Sequence, residues 1–192
     1  FSLFPGNQNE QTSVKPLEKK ILQDFHCEKF VYCSDAGLGS ENNRVFNHMG
    51  QRAFIVTQSI KKLPKEEREW ALTRSEFRNV KDDTVVDLDS LDKSDESSLY
   101  YKEIPYSTKQ LHQRLIITYS PKYATYQKQI REKQIERAQS MIQSGSAKRQ
   151  SKNPNDPARF IQKIAVTKEG EVAEQQSFCL DSAKIEEEAQ YD

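Results

Sequence analysis

One aspartate follows directly on a short apolar run in an otherwise polar chain. The segment Lys29–Asn43 reads KFVYCSDAGLGSENN, so Asp35 follows a predicted strand over Phe30–Cys33 and precedes a Gly-x-Gly turn. A carboxylate at such a place can bind Mg²⁺, which prefers oxygen ligands. An aspartate also opens turns by accepting hydrogen bonds from nearby backbone amides. The pattern leaves both interpretations open. Nuclease-type sites need two or three carboxylates, and Asp35 alone supplies one of them.

A second group of residues with possible chemistry is basic. Between Lys122 and Lys152 the chain has eight bases and two acids, whereas Asp82–Glu96 has seven acids and one lysine, although the net charge is zero. Clustered Lys and Arg can contact nucleic-acid phosphates, while the common alternative is a solvated helix face. The candidates for DNA contact are Lys122, Lys128, Arg131, Lys133, Arg137, Lys148 and Arg149. Nearby Tyr119, Tyr123 and Tyr126 could stack on bases or belong to a core.

The first sixty residues contain the elements that would position Asp35. Apolar spacing predicts a helix over Val14–Phe25, and two short strands, Phe30–Cys33 and Ala53–Ile60, flank a helix over Ser40–Met49 that Ser40 can cap. Two strands joined by a helix form a right-handed crossover and pair in parallel. We therefore expect Asp35 at the carboxyl end of a parallel strand, where functional groups gather in such sheets.

The rest of the chain is predicted to combine further strands with one long helix. The acidic segment Lys81–Ser98 suits a mobile or edge position. Strands over Leu99–Tyr106 and Arg114–Ser120 suit an antiparallel pair, and a helix should run from Pro121 to about Ser144. Two more strands and a last helix are expected over residues 159–167, 176–181 and 182–192.

Composition excludes some classes of protein. The apolar fraction is 35% and the charged fraction 30%, which predicts a modest core with long polar excursions. No apolar run approaches the roughly 20 residues of a membrane span, and no signal peptide is visible. Cys27, Cys33 and Cys179 have no disulfide-framework spacing, which favours a reducing, cytoplasmic environment. Because no apolar run is long enough, we expect no membrane partner.

Several segments, in order, resemble the transposases of bacterial insertion sequences. They are FPGNQNEQTSVKPLEKKI, KFVYCSDAGLGSENNRVFNHMGQRAFIVTQSIK, RLIITYSPKYATYQKQIREKQIERAQSMI and LDSAKIEEEAQYD. The chain is similar to the DDE type, in the branch whose catalytic domain carries a β-strand-rich insertion. The most specific element is DAGL-x-S-E-N after a strand, and the next is YS-x-K-x-A leading into a basic helix.

This resemblance implies a fold and a set of partners. The expected fold is α/β, α+β overall: part of a ribonuclease-H-like core over residues 1–60, an insertion with strands and a long helix over 61–180, and a return to the core over 181–192. Asp35 matches the second catalytic aspartate and would bind Mg²⁺ or Mn²⁺ in the complete site. The implied partners are DNA, as element ends and target, and a second subunit in the intact enzyme, in the nucleoid-associated cytoplasm.

Two other catalytic residues of the family have no match here. Its first aspartate precedes the matched region, and its Tyr-x2-Arg-x3-Glu-x6-Lys pattern is absent. Both ends read as cut from a longer frame, so we expect a transposase fragment without strand-cleavage activity of its own, because one carboxylate cannot organise two metal ions. The alternative is a non-catalytic nucleic-acid-binding or interaction module, a decayed transposase remnant.

Overall fold

The protein is a mixture of helices and short strands. The computed structural model describes residues 3–26, 29–91, 96–147, 150–166 and 175–191. With 42% helix and 24% strand, it confirms the mixed α/β class predicted from the sequence. Two compact units are present: a first unit of Phe1–Thr73 with Glu103–Leu115, and a second unit of Arg74–Lys102 with Ile116–Asp192. The sequence-based division near residues 60 and 180 stays a prediction.

The first unit opens with helix α1, Glu10–Phe25. It begins four residues before the predicted start, because the side chain of Asn9 accepts a hydrogen bond from the Gln11 amide at 3.0 Å and caps the helix there. The helix ends at His26, whose φ of 51° places it in the left-handed region.

A parallel strand pair follows α1. Strand β1 (Lys29–Ser34), helix α2 (Glu41–Phe46) and strand β2 (Gln51–Val56) form a β-α-β unit in which Lys29 pairs with Gln51 and Ser34 with Val56. The parallel pairing confirms the prediction. Helix α2 is shorter than expected, since it ends at Phe46, and Gly50 then turns the chain with a φ of +68°.

The two faces of this strand pair differ. Residues with even numbers in both strands are buried or half-buried, whereas their neighbours are exposed, as at Val31 (57%) and Ile55 (68%). Helix α3 (Lys65–Leu72) belongs to the same unit. The buried apolar side chains of the first unit are Val14, Tyr32, Leu63, Ala71, Leu111 and Leu115.

A four-stranded sheet comes next along the chain, in the order β4-β3-β5-β6. Its strands are β3 (Phe77–Asn79), β4 (Val85–Val86), β5 (Tyr100–Ser107) and β6 (His112–Tyr119). Strand β3 pairs antiparallel with β4 and with β5. The described part of the acidic segment thus supplies the edge strand β4, which agrees with the edge position predicted for it.

The second unit contains the longest helix, α4 (Pro121–Gln143). Pro121 occupies its first turn, the Ser120 hydroxyl accepts from the Tyr123 amide at 3.5 Å, and Gly145 follows its end with a φ of +68°. Strands β7 (Ile161–Val166) and β8 (Gln175–Leu180) pair antiparallel, and α5 (Ser182–Ala189) is capped by Asp181. Their buried cluster is Ala138, Ala147, Ala158, Phe160 and Ile161.

Candidate functional site

Asp35 is the first residue after β1 and begins a loop, residues 35–40, that we call the Asp35 loop. Its side chain is exposed. Oδ1 accepts hydrogen bonds from the amides of Gly37 at 2.9 Å and Leu38 at 3.3 Å, which is the turn-forming arrangement that the residue type favours. Within the described residues Oδ2 has no hydrogen-bond donor. The hydrogen bonds to Oδ1 therefore fix the orientation of the carboxylate, and Oδ2 is open to solvent.

The two glycines of the loop are required by close approaches. A Cβ at position 37 would lie 3.1 Å from Asp35 Oδ1, and a Cβ at position 39 would lie 3.2 Å from Val56 Cβ on β2. A side chain at Gly37 would press on the carboxylate, and one at Gly39 would push the loop from the strand. The Gly-x-Gly spacing therefore fits the loop that presents Asp35.

A buried amide ties this loop to the helices around it. Asn43, on α2, is 2% exposed and its Nδ2 donates to Leu38 O at 2.9 Å and to Gln11 O of α1 at 3.2 Å. The Tyr32 hydroxyl donates to the same Leu38 oxygen at 3.2 Å. The Asp35 loop is thereby connected to β1, α1 and α2 by hydrogen bonds that the sequence pattern alone did not reveal.

A second buried amide lies against a buried carboxyl group. Asn47 is 0% exposed, and its Nδ2 is 3.0 Å from both carboxyl oxygens of Glu18, which is 4% exposed. Burial raises the pKa of Glu18, and this outweighs the Asn47 hydrogen bond and the nearby charges of Arg52 and Lys15, which lower it. Asn47 Nδ2 also donates to Asn43 O at 3.1 Å, so the Glu18 group and the Asp35 loop share one network. A glutamate in a helix of polar composition gave no sequence signal of burial.

The bases of α4 do not all lie on one side of the helix. Lys133 and Arg137 are 11 and 15 residues after Lys122, close to three and four whole turns at about 3.6 residues per turn. All three side chains are exposed and make no ion pair with any described residue. We call Lys122, Lys133 and Arg137 the basic stripe. It faces away from Ala138, which is 0% exposed on the packed side of the helix.

The other predicted DNA contacts are placed differently. Lys128 Nζ lies 3.9 Å from Glu132 Oε1 in an exposed ion pair. The pair contributes little stability but reduces the free charge of Lys128. Arg131 is half-buried and has a partner of its own. Lys148 and Arg149 lie outside the described residues. The structure thus brings together three of the seven predicted bases.

The three tyrosines also separate into two groups. Tyr119 packs against the buried cluster of Phe77, Leu88 and Tyr100, with its ring centroid 6.3 Å from that of Phe77. For Tyr119 the core interpretation is therefore the right one. Tyr123 and Tyr126 are 62% and 56% exposed, and their ring centroids are 6.4 Å apart at an interplanar angle of 40°. These two rings lie on the surface of α4.

Asp35 fits one coordination position of a divalent cation, because its unbonded Oδ2 is exposed and carboxylate oxygen is a preferred ligand of Mg²⁺. In the part of the chain that the structure describes, no three His, Cys, Asp or Glu side chains lie together in a way that could hold a metal ion. Within the same residues, no helix has the length and apolar composition needed to cross a membrane.

Comparison of the chain with protein-family models, with curated proteins and with solved structures gives no match. The likeness to transposases therefore rests on the sequence segments quoted above. The geometry of the Asp35 loop and of the basic stripe is independent of that likeness.

Proposed function

We propose that the chain is part of the catalytic region of a DDE-type DNA transposase and supplies Asp35 as one metal-binding carboxylate. The observation that carries this proposal is the position of Asp35 directly after β1 of a parallel β-α-β unit, exposed and with Oδ2 unbonded within the described residues. The carboxyl ends of parallel strands are where functional groups collect in such sheets. In this proposal β1 and β2 belong to a ribonuclease-H-like sheet, residues 61–180 form its insertion, and the other carboxylates come from outside the chain.

The chain would contribute position and charge to the reaction. Mg²⁺ or Mn²⁺ in the complete site would generate the attacking nucleophile and stabilise charge on the phosphate. Asp35 would offer Oδ2 in a direction fixed by the amides of Gly37 and Leu38. The basic stripe would hold element ends or target DNA. The intact enzyme would act as a homodimer on nucleoid DNA, whereas these residues alone would not cleave a strand.

The Asp35 role can be tested with the chain itself. Mn²⁺ titrated into ¹⁵N-labelled protein should broaden the amide signals of Ala36, Gly37 and Leu38 first, with weak affinity of about millimolar because one carboxylate binds the ion. The matched variant is Asp35→Asn, which keeps an Oδ1 acceptor for the Gly37 amide and removes the charge. Equal broadening in this variant, or none in the parent protein, would remove Asp35 as a ligand.

A second candidate function is supported by a different observation, the unpaired basic stripe. A non-catalytic nucleic-acid-binding module would use Lys122, Lys133 and Arg137 to contact phosphates, with no need for Asp35. Binding to duplex DNA should then weaken as salt rises, and the triple Lys122→Gln, Lys133→Gln, Arg137→Gln variant should lower the slope of log K against log salt by about 2–3.

The control for this experiment is Lys128→Gln on the same helix. Lys128 lies off the stripe and already pairs with Glu132, so its replacement should leave the slope nearly unchanged, whereas the loss of one phosphate contact changes it by about 1. A flat salt response in the parent protein would discard the phosphate role of α4. DNA binding that survives in Asp35→Asn while Mn²⁺ has no specific site would favour the module over the transposase.

A further inference from the structure

We propose that Tyr123 and Tyr126, together with the basic stripe, form a binding site for single-stranded DNA, in which the rings stack on unpaired bases and the stripe contacts the phosphates. This inference rests on the proposed function and deepens it, because it names the form of DNA that the α4 surface binds.

The first argument is the exposure of the two rings. Tyr123 and Tyr126 leave 62% and 56% of their surface accessible, although a neighbouring tyrosine, Tyr119, is packed in a core cluster. The rings are tilted by 40° at 6.4 Å, so they do not cover one another face to face. Each ring therefore retains surface on which a flat base can stack, and such stacking tolerates any base because every base has a π-face.

The second argument is the placement of the rings relative to the charges. Tyr126 lies four residues after Lys122, seven before Lys133 and eleven before Arg137, which is close to one, two and three turns of helix. Tyr126 is therefore part of the same line as the three bases. Tyr123, three residues before Tyr126, lies beside that line. Proteins that bind single strands combine these two features: a basic track for the backbone and aromatic rings beside it.

The length of the site suits a short segment of nucleic acid. Lys122 and Arg137 are 15 residues apart on a continuous helix, which corresponds to about 22 Å at 1.5 Å per residue. In an intact duplex the faces of the bases are covered by their neighbours, and only their edges are accessible in the grooves. Tyrosine rings on a convex helix surface can stack only on bases that are already unpaired, so we expect the site to prefer a single strand.

The acids of α4 determine which interaction dominates. Glu132 pairs with Lys128, and Glu136 is exposed between Lys133 and Arg137 in the sequence. Glu136 offsets part of the positive charge of the stripe. Electrostatic attraction alone is therefore weak, and stacking on the two tyrosines should supply a large share of the affinity for a single strand.

The test compares a labelled oligothymidine of about ten nucleotides with a duplex of the same length by fluorescence anisotropy. Tyr123→Ala and Tyr126→Ala should each weaken binding of the single strand by about thirtyfold, the middle of the range for loss of one stacked base. Tyr123→Phe and Tyr126→Phe keep the ring and should stay within about twofold of the parent protein. Affinity for the duplex should change little in all four variants.

A second readout reports stacking directly. A single strand with 2-aminopurine should lose fluorescence on binding to the parent protein and to the Phe variants, but not to the double Ala variant. Equal losses for single strand and duplex in the Ala variants, or no loss in either, would overturn the inference. If the stacking inference fails but salt-dependent binding to the duplex persists, the proposed function still stands. If the parent protein binds neither the single strand nor the duplex, the role of α4 in DNA contact is removed as well.

Discussion

The two units of the chain differ in what fills their interiors. The most deeply buried side chains of the first unit include two amides, Asn43 and Asn47, with the carboxyl group of Glu18 against one of them. Those of the second unit include Phe160 and Ile161, both 0% exposed and packed among alanines and larger apolar side chains. The first interior depends on hydrogen bonds and on a proton, and the Phe160 cluster of the second unit depends on shape and apolar area.

The two interiors support different kinds of structure, a loop in the first unit and a regular helix in the second. The Asn43 amide reaches the backbone of the loop that presents Asp35, so it helps to define the shape of an irregular segment that packing alone would leave undetermined. The apolar cluster of the second unit holds one side of α4, and the opposite side of that helix carries the basic stripe. A loop needs directional contacts to hold one conformation, whereas a regular helix needs only a surface to pack against.

The largest expected effect is in the apolar interior. Phe160→Ala should lower the free energy of unfolding by about 3–5 kcal/mol, because it removes a fully buried ring and leaves a cavity in the apolar cluster. Urea denaturation followed by circular dichroism measures this. Phe25→Ala is the matched control, since Phe25 is 72% exposed and its replacement should cost about 0.5 kcal/mol or less. Similar losses in both variants would show that the cluster is not the stabilising core.

A smaller loss is expected in the polar interior. Asn43→Ala removes the side-chain donor to Gln11 O and leaves Leu38 O with the Tyr32 hydroxyl as its side-chain donor, at a cost of about 1–3 kcal/mol. Amide chemical shifts of the Asp35 loop should change together with stability. Asn42→Ala, at the exposed neighbouring position, should leave both unchanged. A stable Asn43→Ala protein with an unchanged loop spectrum would mean that the amide does not shape the loop.

The smallest effect is one of pH. Burial raises the pKa of Glu18 above its ordinary value of 4.5 in the folded protein, so at pH values between these two pKa values the folded state holds a proton that the unfolded chain has released. The contribution of Glu18 to stability is therefore greatest below pH 4.5 and declines as pH rises to the folded-state pKa. Glu18→Gln imitates the protonated form, so its stability relative to the parent protein should increase across that interval.

Urea midpoints at a series of pH values measure this relative stability. Asp24→Asn, at an exposed position of the same helix, is the control and should show no comparable trend. A constant difference between Glu18→Gln and the parent protein at all pH values would show that Glu18 titrates normally. The contrast between a proton-dependent interior and an apolar one would then disappear.

The regular elements could be predicted because local signals determine them. Proline at the first position and glycine after the end bound α4 closely, and two short apolar runs around a capped helix predict the parallel pair of β1 and β2. The start of α1 was placed too late, because Asn9 caps the helix before the apolar spacing begins.

The interior of the first unit could not be predicted in the same way. Glu18, Asn43 and Asn47 are buried by contacts across the fold, and residue type assigns them to the surface. The same limit applies to the tyrosines, since only tertiary packing distinguishes half-buried Tyr119 from exposed Tyr123. For Asp35, the sequence identified the strand end and the turn. The role of its carboxylate as a metal ligand stays a prediction.

The turn closed by Asp35 has a consequence for side-chain length. The ring formed by Oδ1 and the Gly37 amide includes the one methylene of aspartate, and a Cβ at position 37 would already lie 3.1 Å from that oxygen. Asp35→Glu would conserve the acid yet enlarge the ring by one carbon. The longer side chain would then place its carboxylate outside the turn. At this position two acids of identical charge are not equivalent.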